Sequence, residues 1–112
     1  MKTAAAEGWT VSEILQRQGA VDEQHKLSAR ELCLLLGVSN RKLGLLIEDE
    51  RAAGMPICST LRSGGGYYLP PRTPEGAEAV RECCEALRNR ADRMRRTAES
   101  LSACAGMEVA NL

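Results

Sequence analysis

The chain has 112 residues, with 15 lysines and arginines set against 15 aspartates and glutamates. That length sets one domain as the default, and the balance denies the protein the overall basic surface usual in nucleic-acid binders, so any pull on phosphate must come from local clusters. The aromatic complement is Trp9, Tyr67 and Tyr68, with no Phe, so the core must be built from Leu, Ile, Val, Ala, Met and Cys, a modest core that self-association would help.

Residues 1–8 are small and polar, are expected to be disordered, and lack the apolar centre of a signal peptide. Trp9, Val11, Ile14 and Leu15 then recur at helical spacing and Gly19 closes the run, which predicts a short helix over 10–18. Residues 20–24 read as a loop, and His25-Lys26-Leu27 as a very short strand. Ser28 with Glu31 three residues on is a capping box, so a second helix starts there. Its inward stripe is Leu32, Leu35 and Leu36, flanked by Cys33 and Leu34. Gly37 supplies a left-handed stop, Val38 plugs the turn and Ser39 caps a third helix over 40–53. Leu43, Leu46 and Ile47 face inward there, and Gly54 and Pro56 end the run.

Two extended stretches follow, 57–62 and 67–70, joined by Ser63-Gly64-Gly65-Gly66, which reads as a hairpin with a flexible tip. Pro71-Arg72-Thr73-Pro74 is a stiff linker. A long helix occupies 75–104, starting at Thr73 or Pro74 and running to about Ser102, roughly 40 Å at the helical rise. Residues 105–112 are expected to form a flexible tail. The fold class is therefore mainly α with a small β element: a three-helix helix-turn-helix core with a two-stranded wing over 9–70, then a long coiled-coil-like helix.

Two helices joined through a glycine turn and followed by a hairpin can seat a helix in a DNA groove. The amino end of the second helix of such a pair meets base edges, and here it reads Ser39-Asn40-Arg41-Lys42. Arginine can grip guanine and asparagine adenine through two bonds each, while lysine suits phosphate. In the hairpin, Arg62, Ser63 and the bare amides of Gly64, Gly65 and Gly66 offer contacts to phosphate or a minor groove. Gly44, inside the third helix, either admits a close partner or is simply tolerated. The run Glu48-Asp49-Glu50 is either a solvated patch away from DNA or a surface that repels phosphate.

Ser28-Ala29-Arg30-Glu31-Leu32, Leu36-Gly37-Val38-Ser39, Ile47, Arg51-Ala52-Ala53-Gly54, Pro56-Ile57-Cys58-Ser59 and Gly66-Tyr67-Tyr68-Leu69-Pro70 together resemble the winged helix of the biotin-operon-repressor type. More closely, they resemble the small winged-helix proteins of phages and prophages. The resemblance covers residues 26–70, with a weaker echo in the arginine-rich last helix. It implies double-stranded DNA binding in transcriptional control or phage DNA metabolism, and no enzyme activity for this portion.

In the last helix Ala77, Val80, Cys84, Leu87, Ala91, Met94, Ala98 and Leu101 alternate at three- and four-residue steps, a heptad seam that predicts left-handed pairing. With Ala77 at position a, Arg81, Arg88 and Arg95 fall at e, and Glu78, Glu85, Asp92 and Glu99 at b. One helix can thus carry a continuous Glu/Asp–Arg ladder, each rung worth about 0.2–0.5 kcal/mol. Small seam residues make the coil weak alone; Trp9 and the first helix could complete it. The seam serves self-association, a different protein, or packing on its own domain. Arg88, Arg90, Arg93, Arg95 and Arg96 form a basic segment that is either solvated or in reach of phosphate.

Nothing assembles for catalysis. Cys33, Cys58, Cys83, Cys84 and Cys104 fit no zinc spacing and suit a reducing cytosol, and His25, the single histidine, has no recognisable catalytic neighbours. Gly64-Gly65-Gly66 lacks the lysine and following helix of a phosphate loop. No cofactor, metal or small-molecule effector is evident, and no apolar stretch nears the ~20 residues that span a bilayer. The expectation is a cytoplasmic, homodimeric, sequence-specific DNA-binding protein paired through Val80, Cys84, Leu87, Ala91, Met94, Ala98 and Leu101. The alternative is a winged-helix adaptor that binds protein through Leu45, the acidic run and the seam.

Overall fold

The computed structural model describes residues 8–111, with side chains to residue 106, so the expectation for the amino terminus falls almost wholly outside the described residues. Among the described residues there are four α-helices: α1 (Val11–Arg17), α2 (Ala29–Leu36), α3 (Asn40–Ala52) and α4 (Pro74–Asn111). One two-stranded antiparallel sheet joins β1 (Cys58–Thr60) to β2 (Gly66–Tyr68). The chain divides into two compact units, Met1–Arg81 and Glu82–Leu112. The division thus falls inside α4, whereas the sequence suggested a boundary at 71–74.

In the first unit α1, α2 and α3 pack against one another. Val11, Ile14, Leu15, Leu32, Leu36, Leu43 and Ile47 are buried, joined by Ala20, Ile57, Cys58 and Tyr68. Each fully buried aliphatic side chain contributes about 1.5–3 kcal/mol. Leu35 and Leu46, expected inside, are half-buried.

The helix ends follow from side-chain chemistry. Ser28 and Glu31 form the expected capping box, at 3.0 and 2.8 Å. Gly37 closes α2 in the left-handed conformation, φ 70°. Thr10 and Glu13 form a second box on α1, which the same Thr-x-x-Glu spacing encodes.

The first turn of α1 has a further partner. Glu50, on α3, accepts hydrogen bonds from the Val11 amide at 2.6 Å, the Ser12 amide at 2.9 Å and the Ser12 hydroxyl at 2.7 Å. A helix start presents unpaired amides and a positive dipole end, so a carboxylate fits there. Glu50 therefore does not belong to an open acidic patch; Glu48 and Asp49 remain exposed.

The region before α2 differs from expectation. Asp22 caps a 3-10 turn over Glu23–His25, accepting from the His25 amide at 2.9 Å and meeting its ring Nδ1 at 2.7 Å. This bond to His25 holds the Asp22 carboxyl below its ordinary range. The turn consumes the residues expected to start a strand, and only Leu27 pairs, in a single bridge with Tyr67. Gly66 permits that bridge, because a Cβ there would sit 2.8 Å from the Leu27 carbonyl oxygen.

The hairpin pairs Cys58 with Tyr68, Ser59 with Tyr67 and Thr60 with Gly66. Its strands are shorter than the sequence suggested, because Arg62–Gly64 forms a 3-10 turn with Ser63 left-handed at φ 49°. Arg51, in the last turn of α3, donates to the Ile57 carbonyl at 2.9 Å and ties α3 to the hairpin.

Thr73 starts α4, its hydroxyl accepting from the Gly76 amide at 3.1 Å and its carbonyl from the Ala77 amide at 2.9 Å. Gly76 is buried, and a Cβ added there would collide with the Pro71 carbonyl oxygen. The helix runs on through Asn111, past the end near Ser102 and into the segment expected to be a flexible tail. In the second unit Asp92 and Arg95 close a rung at 2.9 Å, and in the first unit Glu78 and Arg81 do the same.

Glu50→Ala is expected to lower stability by about 2–3 kcal/mol, because it strands two amides and a hydroxyl; urea unfolding measures it. Gly76→Ala should cost about 3 kcal/mol through the forced clash with Pro71. Gly44→Ala, which enters open space inside α3, should instead raise stability by up to about 1 kcal/mol in the same assay.

Candidate nucleic-acid interface

Every α-helix of the first unit that begins before the hairpin opens on a hydroxyl residue. In α1 the residue three positions on is Glu13 and in α2 it is Glu31, and each returns a hydrogen bond to its cap. In α3 the cap is Ser39 and the third position holds Lys42, so half of the box is missing. Ser39 still accepts from the Lys42 amide at 3.1 Å. The lysine ammonium and the neighbouring Arg41 guanidinium stand at the positive end of the helix dipole, where a cation is disfavoured by about 0.3–1 kcal/mol. The first turn of α3 has no acidic residue to offset them.

All four residues expected at this end, Ser39, Asn40, Arg41 and Lys42, are exposed. Their chemistry is not equally available. The Ser39 hydroxyl is engaged in the cap. The Asn40 Oδ1 accepts a weak hydrogen bond from the Cys33 thiol on α2 at 3.3 Å. That bond turns the asparagine oxygen toward α2, so gripping adenine with both amide atoms requires the thiol contact to open. Arg41 and Lys42 are therefore the accessible donors. Farther along α3, Leu45 is 48 % exposed, and Glu48 and Asp49 are exposed beyond it. The outer face of α3 thus runs from basic at its start to acidic toward its end, opposite to what the helix dipole favours. Arg51 moderates this in the last turn.

The hairpin tip holds the other expected contacts, Arg62, Ser63, Gly64 and Gly65. Ser63 and Gly64 are exposed and Gly65 is half-buried. Arg62 is 77 % exposed but reaches Glu23 at 3.3 Å. The same carboxylate accepts from the Thr60 hydroxyl at 2.6 Å, and that hydroxyl accepts from the Arg62 amide at 3.1 Å. The tip is thus tied down, and its one cation is partly neutralised. The sequence did not disclose Glu23 as its partner, because the two are far apart in the chain. Leu61, next to Arg62, is 95 % exposed, an apolar side chain that the sequence reading passed over.

Along α4 the seam residue Val80 is half-buried, whereas Cys84, Ala91 and Ala98 are exposed. Leu87, Met94 and Leu101 are 37 %, 65 % and 65 % exposed. Trp9 carries the Arg17 guanidinium 4.3 Å from its ring centre. Among the described residues no group of three His, Cys, Asp or Glu side chains gathers for a metal ion, and no helix is long and apolar enough to cross a membrane. Comparison with protein-family models, with characterised proteins and with solved structures finds no match for this chain.

Proposed function

We propose that the chain is a cytoplasmic, sequence-specific double-stranded DNA-binding protein of the winged-helix type, a regulator or DNA-metabolism accessory of phage or prophage kind. It acts as a homodimer through the α4 seam. The observation that carries this reading is Lys42 at the position where α1 and α2 hold a glutamate. Together with Arg41 it sets two exposed cations at a helix start, against the dipole. A polyanion meeting that end gains both the cations and the helix amides. Arg41 serves guanine, Lys42 serves phosphate, and Asn40 joins when its contact with Cys33 opens. The hairpin acts as the wing, with Arg62 and the exposed Ser63–Gly64 backbone toward the sugar–phosphate backbone, while the Gly65 amide stays on the Arg62 carbonyl at 3.0 Å.

A second reading has its own support. Leu45 and Leu61 are exposed beside the two basic elements, and the total charge is zero. These features suit an adaptor that docks a protein.

Selection of duplex sequences by the purified protein should recover a palindrome with half-sites one helical turn, or a multiple, apart. Replacing Arg41 and Lys42 together by alanine should weaken binding to that site by at least about tenfold and flatten its salt dependence by roughly one unit of slope per lost phosphate contact. Absence of duplex binding at low salt would favour the adaptor. Lys42→Glu should separate function from folding. It completes the third capping box and should raise unfolding stability by about 0.5–1 kcal/mol while abolishing DNA binding. Loss of both properties in that variant would show that Lys42 serves the fold.

A further inference from the structure

We propose that the seam of α4, exposed from Cys84 onward, pairs with a second copy of itself in antiparallel orientation, the two-fold axis crossing at the level of residue 89. This rests on the self-association reading above and adds its orientation and register. The starting point is an asymmetry of size within the seam. Positions a hold Ala77, Cys84, Ala91 and Ala98, all small; positions d hold Val80, Leu87, Met94 and Leu101, all larger.

In a parallel pair, a meets a and d meets d. Alanine layers would then alternate with leucine or methionine layers. The larger layers would hold the helices apart, and each alanine layer would lose contact across the gap. In an antiparallel pair, a meets d. About Asn89 the match uses the whole seam: Ala77 lies opposite the partner's Leu101, Val80 opposite the partner's Ala98, Cys84 opposite the partner's Met94, and Leu87 opposite the partner's Ala91. Two-fold symmetry supplies the reverse contacts, so one face serves both copies. Every layer then joins a small residue to a larger one, and the helices close to a uniform separation.

Charge opposes this choice, weakly. Antiparallel pairing sets Arg81 near the partner's Arg95, and sets Arg88 and Arg90 each near its own equivalent. Parallel pairing brings together only Arg90 and the partner's Arg95 on each flank. These arginines lie on the solvated flanks, where salt screens them. Arg81 and Arg95 are each held at 2.9 Å by an acid of their own helix, Glu78 and Asp92. Glu85 stands three residues before Arg88 in the sequence. Voids in a dry seam are not screened, so size decides. A second copy is the occupant because the same small–large alternation, read in the opposite direction, fills its own gaps.

Cysteine cross-linking tests this in the full chain. One variant carries Cys83→Ser and Cys104→Ser, leaving Cys84 as the cysteine of α4. A second adds Met94→Cys. Diamide oxidises paired thiols, taking up the two electrons and two protons released as the S–S bond forms. Within one helix, positions 84 and 94 lie about 15 Å apart, beyond disulfide reach, so any link between them joins two chains. The expected result is a covalent dimer of the Met94→Cys variant, linked between Cys84 and position 94, forming at least about tenfold faster than any dimer of the first variant. A Cys84–Cys84 link in the first variant would overturn the orientation while leaving self-association intact. A dimer in sedimentation equilibrium that yields neither link would overturn the register. A monomer at about 100 μM would overturn the self-association reading itself, together with this one.

Discussion

Two backbone amides and a hydroxyl at the start of α1 converge on one carboxylate, Glu50, carried by the last turns of α3. The first helix is only seven residues long, and helices of that length are marginal without tertiary support. Glu50 supplies the support in a form that packing cannot, since it satisfies donors that burial would otherwise strand. Ser12 is 5 % exposed, so water is no substitute there. Once α1 is fixed, Val11, Ile14 and Leu15 close the core over α2 and α3. The Ala20 carbonyl, just beyond α1, then accepts from the Leu69 amide at 2.8 Å, which fastens the chain leaving the hairpin. The Glu50 cap and the Ala20–Leu69 bond together connect α1 to α3 and to the chain leaving the hairpin.

The same physics accounts for the unusual charge order of α3. A stability-optimised helix places acids early and bases late. Here the bases come early, and of the three consecutive acids only Glu50 finds a structural use. The remainder leave α3 less favourable than α1 or α2 in the terms that govern isolated helices. Proteins tolerate such local conflicts mainly where function requires them. In α3 the conflict is confined to exposed side chains, so it leaves the core intact.

Much of this was legible in the residues. The box at Ser28 and Glu31, the stop at Gly37, the cap at Ser39 and the helix beginning near Pro74 depend on neighbours within four positions, and such signals survive folding unchanged. The exposure of residues 39–42 also followed from local periodicity. What could not be read depends on partners far apart in the chain. Glu50 resembled one member of an acidic run, because nothing nearby indicates the start of α1. Glu23 looked like a loop residue until Thr60 and Arg62 arrived beside it. The strand expected at 25–27 lost to a cap by Asp22, a side chain competing with the sheet for the same backbone amides. The 3-10 turn at the hairpin tip could not be read because Ser63 adopts a left-handed conformation that propensity alone would not assign to it. The Thr10–Glu13 box is encoded by the same local spacing as the box at Ser28.

Trp9 has a consequence for how the protein can be observed. It is the lone tryptophan of the chain, it directly precedes the Thr10 cap, and a guanidinium rests on its ring. Its emission is therefore a local optical gauge of whether the first helix is seated. Circular dichroism, by contrast, is weighted toward the 38 residues of α4. The two signals report different parts of the molecule, and any disagreement between them during unfolding would measure how independently those parts come apart.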